Sequence, residues 1–272
     1  MENTRLFTFG CSHTKYRWPS WADILGLNCK EFYNFGRPGT GIFYMIYQFT
    51  FANQHFKFNK NDTLIFMLSD EARVDIIKDK NWLVSGLVFN SVDVFGKKFF
   101  EHYSLTHAIE STYVHVYFLK EILDKIGCKY EIIYAFPPPI SIEDDTPLTE
   151  LWKKTFNLTN TNIKSLTEFA KNENDKSYTF KKNYGLTAID KLFETNVTDG
   201  HYTITCHLNY IKKYLSKYYN EKYDDVVIKW ENSVPVGGFE TEVVDKFYYT
   251  INKNKVEFIN GKKHIEDLTN II

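Results

Sequence analysis

The sequence predicts an α/β protein, a three-layer α/β/α sandwich around a mainly parallel sheet. Short apolar runs alternate along the chain with stretches whose apolar residues recur at helical spacing. The run TLIFML at residues 63–68 is apolar without alternation, as expected for a strand covered on both faces. With 272 residues, 43% apolar and 25% charged, the chain suits one large domain, or one domain with an appendage.

The predicted elements alternate in the order that such a sandwich requires. Strands are predicted at residues 6–9, 31–35, 63–68 and 130–136, and helices at 18–25, 42–54, 97–126, 148–156, 163–171, 186–193 and 205–219. Pro19 is tolerated in the first turn of the first helix, and Gly127 stands where the longest helix needs a C-cap. A glycine-rich turn at 36–41 follows the second strand, and three prolines at 137–139 end the fourth.

The pattern changes after about residue 222. Short strand-like runs at 226–230, 246–249 and 256–259 are separated by turn signals such as Gly237-Gly238. We therefore expect one domain over residues 1–222 and a small β-rich C-terminal appendage over residues 223–272.

Composition argues against several classes of partner and cofactor. A net charge of -1 gives no electrostatic reason to expect nucleic acid or a membrane surface as a partner, and no run approaches the ~18 apolar residues of a membrane span. The first residues lack the features of a signal peptide, so we expect a cytoplasmic protein, or a virion-associated one. The four cysteines form no C-x-x-C pair, and no metal or organic cofactor is expected.

Two short segments carry candidate chemistry. The first strand breaks at Gly10 and is followed by Ser12, which places a hydroxyl at the carboxyl edge of the sheet. Far downstream, Asp199 and His201 flank a glycine, a spacing that suits a tight loop. Together they predict a serine nucleophile, a histidine base and an aspartate that orients the histidine. Alternatively, Ser12 only caps the following helix. Cys11 is the stronger nucleophile by chemistry, but strand alternation turns it away from Ser12, towards the core.

These segments resemble the SGNH, or GDSL-type, hydrolases. The resemblance is carried by FGCSHT at residues 9–14, by residues 18–26 behind it, and by N-x-G-x-x-G over 34–39. It covers roughly the first 220 residues and is closest to a branch common in bacteriophage and marine microbial sequences. The resemblance implies a flavodoxin-like sandwich and the activity of an esterase, lipase or carbohydrate deacetylase.

The resemblance also assigns roles to residues. Ser12 matches the nucleophile, and its N–H matches the first donor of the oxyanion hole. Gly39 matches the glycine whose N–H is the second donor. Asp199 and His201 match the late acid and base, although one residue separates them where the family commonly has two. Cys11 stands where the family's name-giving motif has aspartate.

The third family block is the clearest departure. The family has an asparagine there as a third oxyanion donor, whereas this chain has Ser69 and Asp70, and an ionised Asp70 cannot donate. We expect Ser69 or Arg73 to supply the donor, because the related branch has Ser or Thr and then Arg at about this spacing. Arg73 could instead pair with Asp70 or Asp75. We expect His13 and Asp70 to contact substrate, although His13 could equally be a solvent-facing residue.

The expected activity is that of a serine esterase on O-acyl, above all O-acetyl, groups of a small molecule or carbohydrate. The carbohydrate rests on analogy with the family, with which the nearby Trp18 and Trp21 are compatible as stacking surfaces. One alternative is acyl transfer between sugars by the same triad. Another is a non-catalytic carbohydrate-binding or virion protein on a hydrolase fold, which the missing asparagine favours. Self-association of the chain is left open.

Overall fold

A computed structural model describes residues 4–78, 81–87, 95–137, 150, 153, 164–173, 177–181 and 196–234. The strands are β1 (Arg5–Gly10), β2 (Glu31–Gly36), β3 (Asp62–Leu68), β4 (Arg73–Lys78), β5 (Asn81–Leu87), β6 (Lys129–Tyr134), β7 (Ser177–Lys181) and β8 (Asn196–Tyr202). The α-helices are α1 (Trp21–Gly26), α2 (Ile42–Phe56), α3 (Lys97–His102), α4 (Leu105–Ile126), α5 (Leu166–Asn172), α6 (Ile204–Tyr214) and α7 (Asp224–Ser233).

Four parallel strands form the central sheet in the order β2-β1-β3-β6. Counted within the sheet, this is the 2-1-3-4 arrangement that begins the flavodoxin-like order. Tyr134, the last residue of β6, also forms one isolated parallel bridge with Ser165. Helices cover both faces of the sheet, so the predicted three-layer α/β/α class is confirmed.

Strand alternation sends successive side chains into two separate cores. Leu6, Ile65 and Met67 pack on one face of the sheet with residues of α1, α5, α6 and α7. Phe7 and Phe66 pack on the other face with α2 and α4. The continuous apolar strands of the sequence thus have both faces buried, as the pattern of β3 predicts.

Two predicted helices differ in extent because serine caps interrupt them. Helix α1 begins at Trp21 rather than Trp18, since Ser20 caps it: the Ser20 hydroxyl accepts from the Ala22 N–H at 3.2 Å, and Asp23 accepts from the Ser20 N–H at 2.8 Å. The helix predicted over 97–126 is two helices, α3 and α4, and Ser104 caps the second. None of the helices within the described ranges is long and apolar enough to cross a membrane.

Two antiparallel hairpins, β4–β5 and β7–β8, lie outside the central sheet and were not predicted. The prediction of a strand at 226–230 is wrong, because these residues belong to α7. Val227 and Trp230 are buried in the same core as α1, so this core continues past the boundary expected at residue 222. The helix predicted at 186–193, most of that at 148–156 and the strands at 246–249 and 256–259 lie outside the described residues.

Candidate active site

Two of the predicted site residues, Ser12 and Ser69, lie at the carboxyl edge of the central sheet, where open α/β folds bind their ligands. In the parallel pairing of β1 with β3, Gly10 lies opposite Met67. Ser12 and Ser69 each come two residues after one member of this pair, so both hydroxyls leave the sheet at the same edge. Both serines are buried.

Residues 11–20, which we call the nucleophile loop, make a tight turn immediately after β1. The Cys11 carbonyl accepts from the N–H groups of Thr14 and Lys15, at 2.9 and 3.2 Å. This turn brings Thr14 back onto Gly10, where an added Cβ would lie 2.2 Å from the Thr14 hydroxyl oxygen. The turn therefore requires glycine before it. Cys11 is buried in the core, as its strand position predicts.

A buried polar network ties the nucleophile loop to β2. The Thr14 carbonyl accepts from the Ser20 hydroxyl at 2.5 Å and from the Asn34 side-chain amide at 3.0 Å. The same Asn34 amide donates to the Asp23 carboxylate at 3.0 Å, and its carbonyl oxygen accepts from the Gly36 N–H at 2.9 Å. Because these groups satisfy one another away from water, the loop is held in one conformation.

The four groups predicted to form the oxyanion hole include donors with no protein acceptor. In the part of the chain that the structure describes, no acceptor is found for the backbone N–H of Ser12 or of Gly39. Gly39 has a φ of 79°, a left-handed conformation that favours glycine. The Ser69 hydroxyl and the Arg73 Nε are likewise buried without a partner among the described residues.

Arg73 is anchored to the loop that carries Gly39. Its Nη1 donates to the Thr40 carbonyl at 3.1 Å, and its guanidinium carbon lies 5.7 Å from the centroid of the Phe136 ring. The suggested pairing with Asp75 persists as a charge interaction, since burial raises the pKa of that carboxyl and Arg73 lowers it, whereas the described hydrogen bond of Arg73 goes to the Thr40 carbonyl. Asp75 instead accepts from the Gly41 and Tyr44 N–H groups, the nearest contacts being 2.8 and 2.9 Å, and so caps α2.

Two carboxyl groups in this region are perturbed by burial. Burial raises the pKa of the Asp75 carboxyl, although the Gly41 and Tyr44 N–H groups oppose this. Burial, with a smaller contribution from Asp70, raises the pKa of Glu71 to about 7. Glu71 is half-buried, and nothing in the sequence marks it as such. The Asp70 carboxylate accepts from the Ala72 N–H at 2.8 Å and shapes this turn, and its contact with substrate stays a prediction.

The late histidine lies against the nucleophile loop, across 188 positions of sequence from His13. The His201 and His13 rings are 5.0 Å apart between centroids, and His201 also stacks on Tyr16 at 3.6 Å with an interplanar angle of 18°. His13, the neighbour of Ser12, is itself buried and meets Phe136 edge-on at 5.3 Å. The structure thus brings His201 to the loop that carries the proposed nucleophile.

The predicted tight loop around Asp199 is a bulge within β8. Ser177 of β7 pairs with Tyr202, whereas Thr179 pairs with Thr198, so the pairing register shifts between them. The segment 199–201 lies in this bulge, opposite a single residue of β7. Bulges re-aim side chains and recur beside active sites. The side chain of Asp199 lies outside the described part of the structure, and its orienting role stays a prediction.

Trp18, Trp21 and His207 are buried residues, and two of them, Trp18 and His207, lie near His201. Trp18 and Trp21 are 1% and 0% exposed, so neither offers a ring face to a sugar, which corrects the suggested stacking surfaces. His207 in α6 is buried, and burial, followed by the charge of His201, lowers its pKa to about 3. His207 is therefore a neutral packing residue at neutral pH.

No protein-family model matches the chain, and no curated protein matches it either. Within the described ranges, no three His, Cys, Asp or Glu side chains are grouped in a way that could hold a metal ion. What the described residues offer chemically at this edge is a buried hydroxyl, an imidazole of β8 that packs against the nucleophile loop, and several hydrogen-bond donors for which no acceptor is found among them.

Proposed function

We propose that this protein is a serine esterase that hydrolyses O-acyl esters through Ser12, His201 and Asp199. One observation carries the proposal: among the described residues, no acceptor is found for the Ser12 and Gly39 N–H groups or the Ser69 hydroxyl, and His201 packs against the loop that carries Ser12. A buried donor without a partner is costly, and a site that must bind a developing negative charge supplies a reason to keep it.

In the first half of the reaction, the Ser12 Oγ bonds to the ester carbonyl carbon while His201 takes the hydroxyl proton. The carbonyl π electrons move to oxygen and give a tetrahedral oxyanion, which the N–H groups of Ser12 and Gly39 stabilise. When the oxyanion collapses, the bond to the alcohol oxygen breaks and His201 returns its proton to the departing alcohol. The acyl group remains on Ser12.

In the second half, water replaces the alcohol. His201 takes a proton from water as the water oxygen bonds to the acyl carbon, and the same donors hold the second oxyanion. The bond to Ser12 then breaks, His201 protonates the serine oxygen, and the carboxylic acid leaves. Throughout, Asp199 is assigned the task of orienting the imidazole and stabilising its protonated form.

Ser69 is the better candidate for the third donor. Its hydroxyl is buried without a partner among the described residues and follows β3 at the same edge as Ser12. One guanidinium nitrogen of Arg73 already donates to the Thr40 carbonyl. We therefore assign Arg73 to holding the loop that carries Gly39. The O-acetyl carbohydrate substrate rests on the resemblance to carbohydrate deacetylases alone.

The experiment is the turnover of p-nitrophenyl acetate by the wild type and by Ser12→Ala, with Ser111→Ala as the matched control. Ser111 lies on α4, where its hydroxyl contacts His115 rather than the site. We expect Ser12→Ala to lower kcat by about 10⁴–10⁶-fold and Ser111→Ala to leave it unchanged. Equal rates for wild type and Ser12→Ala would rule out the proposed nucleophile. Ser12-dependent transfer to an added sugar, in place of hydrolysis, would identify an acyltransferase.

A further inference from the structure

The strand that carries His201 has limited support from backbone pairing. Within the described residues, β8 pairs only with β7, and this two-stranded ribbon lies outside the central sheet. Two-stranded ribbons are marginally stable by themselves, and the bulge at 199–201 interrupts the pairing at the histidine itself. A base that must stay within hydrogen-bond reach of a serine needs a firmer anchor than this ribbon.

Tyr16 supplies one contact of such an anchor. Its ring lies nearly parallel to the His201 imidazole, with centroids 3.6 Å apart. Tyr16 is partly buried and packs against the core formed with α1 and α6. Since Tyr16 belongs to the nucleophile loop, the stack fixes the imidazole relative to the segment that carries Ser12.

Trp18 supplies the second contact. Its indole N–H donates to the Tyr202 carbonyl at 2.9 Å, which holds the backbone immediately after His201. The Trp18 ring also meets Tyr16 edge-on, with centroids 4.7 Å apart and an interplanar angle of 86°. Because Trp18 is buried in the core, this hydrogen bond has a rigid donor.

We propose that Tyr16 and Trp18 form a clamp that positions His201 for the esterase reaction. The contacts close a ring: Tyr16 stacks on His201, His201 is bonded to Tyr202, Tyr202 accepts from Trp18, and Trp18 packs on Tyr16. The clamp rests on the proposed function, but its geometry does not depend on the identity of the substrate. Tyr16 is a positioning residue, and its loss displaces the imidazole without removing any reacting group.

The experiment compares Tyr16→Leu with Tyr16→Phe, which keeps a ring for the stack. We expect Tyr16→Leu to lower kcat by about 10²-fold, the loss typical of a small misplacement of a catalytic group, with KM little changed, and Tyr16→Phe to retain most of the activity. Tyr47→Leu is the matched control, because Tyr47 is a partly buried tyrosine on α2 that contacts Phe51. Wild-type kcat in Tyr16→Leu would overturn the clamp.

A second measurement judges the clamp without any activity. The Tyr16 ring current shifts the His201 ring-proton NMR resonances, which are assigned by their loss in His201→Asn. We expect Tyr16→Leu to move these resonances towards the values of an unstacked histidine, whereas Tyr16→Phe and Tyr47→Leu leave them in place. Unmoved resonances in Tyr16→Leu would contradict the clamp. If the Ser12→Ala comparison refutes the esterase proposal, the shift of the His201 resonances in Tyr16→Leu still tests whether Tyr16 and Trp18 position His201.

Discussion

The two parts of the site are held by different physical means. The nucleophile loop is fixed by hydrogen bonds among buried polar groups, with Asp23 and Asn34 at their centre. The histidine segment, which we define as residues 200–202, is held by ring contacts with His13 and Tyr16 and by one indole N–H from Trp18. One part is a satisfied polar network, and the other is an aromatic packing arrangement.

The difference shows where the site derives its rigidity. The network of the nucleophile loop reaches into β2 through Asn34, so the central sheet determines its position. The histidine segment has no described pairing with that sheet; the nucleophile loop supplies the ring contacts of His201, while the Tyr202 side chain hydrogen-bonds Thr167 and packs on the core. A change in the loop is therefore expected to disturb both parts, whereas a change in the histidine segment disturbs one.

Apart from the loss of the nucleophile itself, the largest expected effect concerns Ser69, which lies at the same sheet edge as the nucleophile loop. We expect Ser69→Ala to lower kcat by about 10²–10³-fold, as the loss of one oxyanion donor does, while the melting temperature is unchanged or raised because an unpartnered buried hydroxyl is removed. Steady-state kinetics and thermal unfolding measure both quantities. Wild-type activity in Ser69→Ala together with a loss in Arg73→Gln would transfer the role to Arg73, and wild-type activity in both would refute this third donor.

Breaking the polar network should cost stability as well as activity. Asp23→Ala leaves the Ser20 N–H and the Asn34 amide without their buried acceptor, and we expect the free energy of unfolding to fall by about 2–4 kcal/mol. Asp124→Ala, which removes an exposed carboxylate paired with Lys120, should cost no more than about 1 kcal/mol. Urea unfolding compares the two, and equal losses would contradict the importance of the network.

A smaller effect concerns how the free energy of unfolding depends on pH through Glu71, which follows β3 near Ser69. Because burial raises the pKa of Glu71 from 4.5 to about 7, the folded state binds this proton more tightly than the unfolded state. The contribution of Glu71 to stability therefore falls as pH rises from about 4.5 to 7. We expect Glu71→Gln to exceed the wild type by about 1–3 kcal/mol in unfolding free energy at pH 8 and to match it near pH 4.5. A constant difference at all pH values would contradict this.

His207, which interacts with His201, changes the free energy of unfolding with pH in the opposite direction. Burial lowers the pKa of His207 from 6.5 to about 3, so the unfolded state takes up the proton first, and stability falls as pH drops from 6.5 towards 3. His207→Gln should flatten the unfolding free energy over that window while leaving the Glu71 window unchanged. A profile that keeps its acid slope in His207→Gln would show that another group causes it.

The central sheet could be predicted because its strands are short, largely apolar runs, of which β1 and β2 end at glycine. The predicted strand at 63–68 and the observed β3 differ by one residue. The hairpin β4–β5 could not be predicted because the sequence between its strands lacks the Asn-Gly or Asp-Gly signal and the two strands pair outside the central sheet. Helix α7 was assigned as a strand because its β-branched run favours one locally, whereas Val227 and Trp230 share a helical face that packs on the core.

Some residues of the candidate site could likewise be predicted from the sequence, and others could not. Ser12, Gly39 and Ser69 could be located from the ends of strands, because parallel strands bring their carboxyl ends to one edge. The clamp could not, because Tyr16 and Trp18 are two aromatic residues in a chain that is 17% aromatic, and no spacing links them to His201. That contact depends on how a hairpin far along the chain packs against the loop, which local pattern does not encode.

Fluorophosphonate labelling tests most directly whether Ser12 and His201 act together. The probe phosphonylates a serine only when a base activates it, and peptide mapping then identifies the residue. We predict a label on Ser12 in the wild type and none in Ser12→Ala or His201→Asn. A label on another residue, or labelling of Ser12 at the wild-type rate in His201→Asn, would contradict the account.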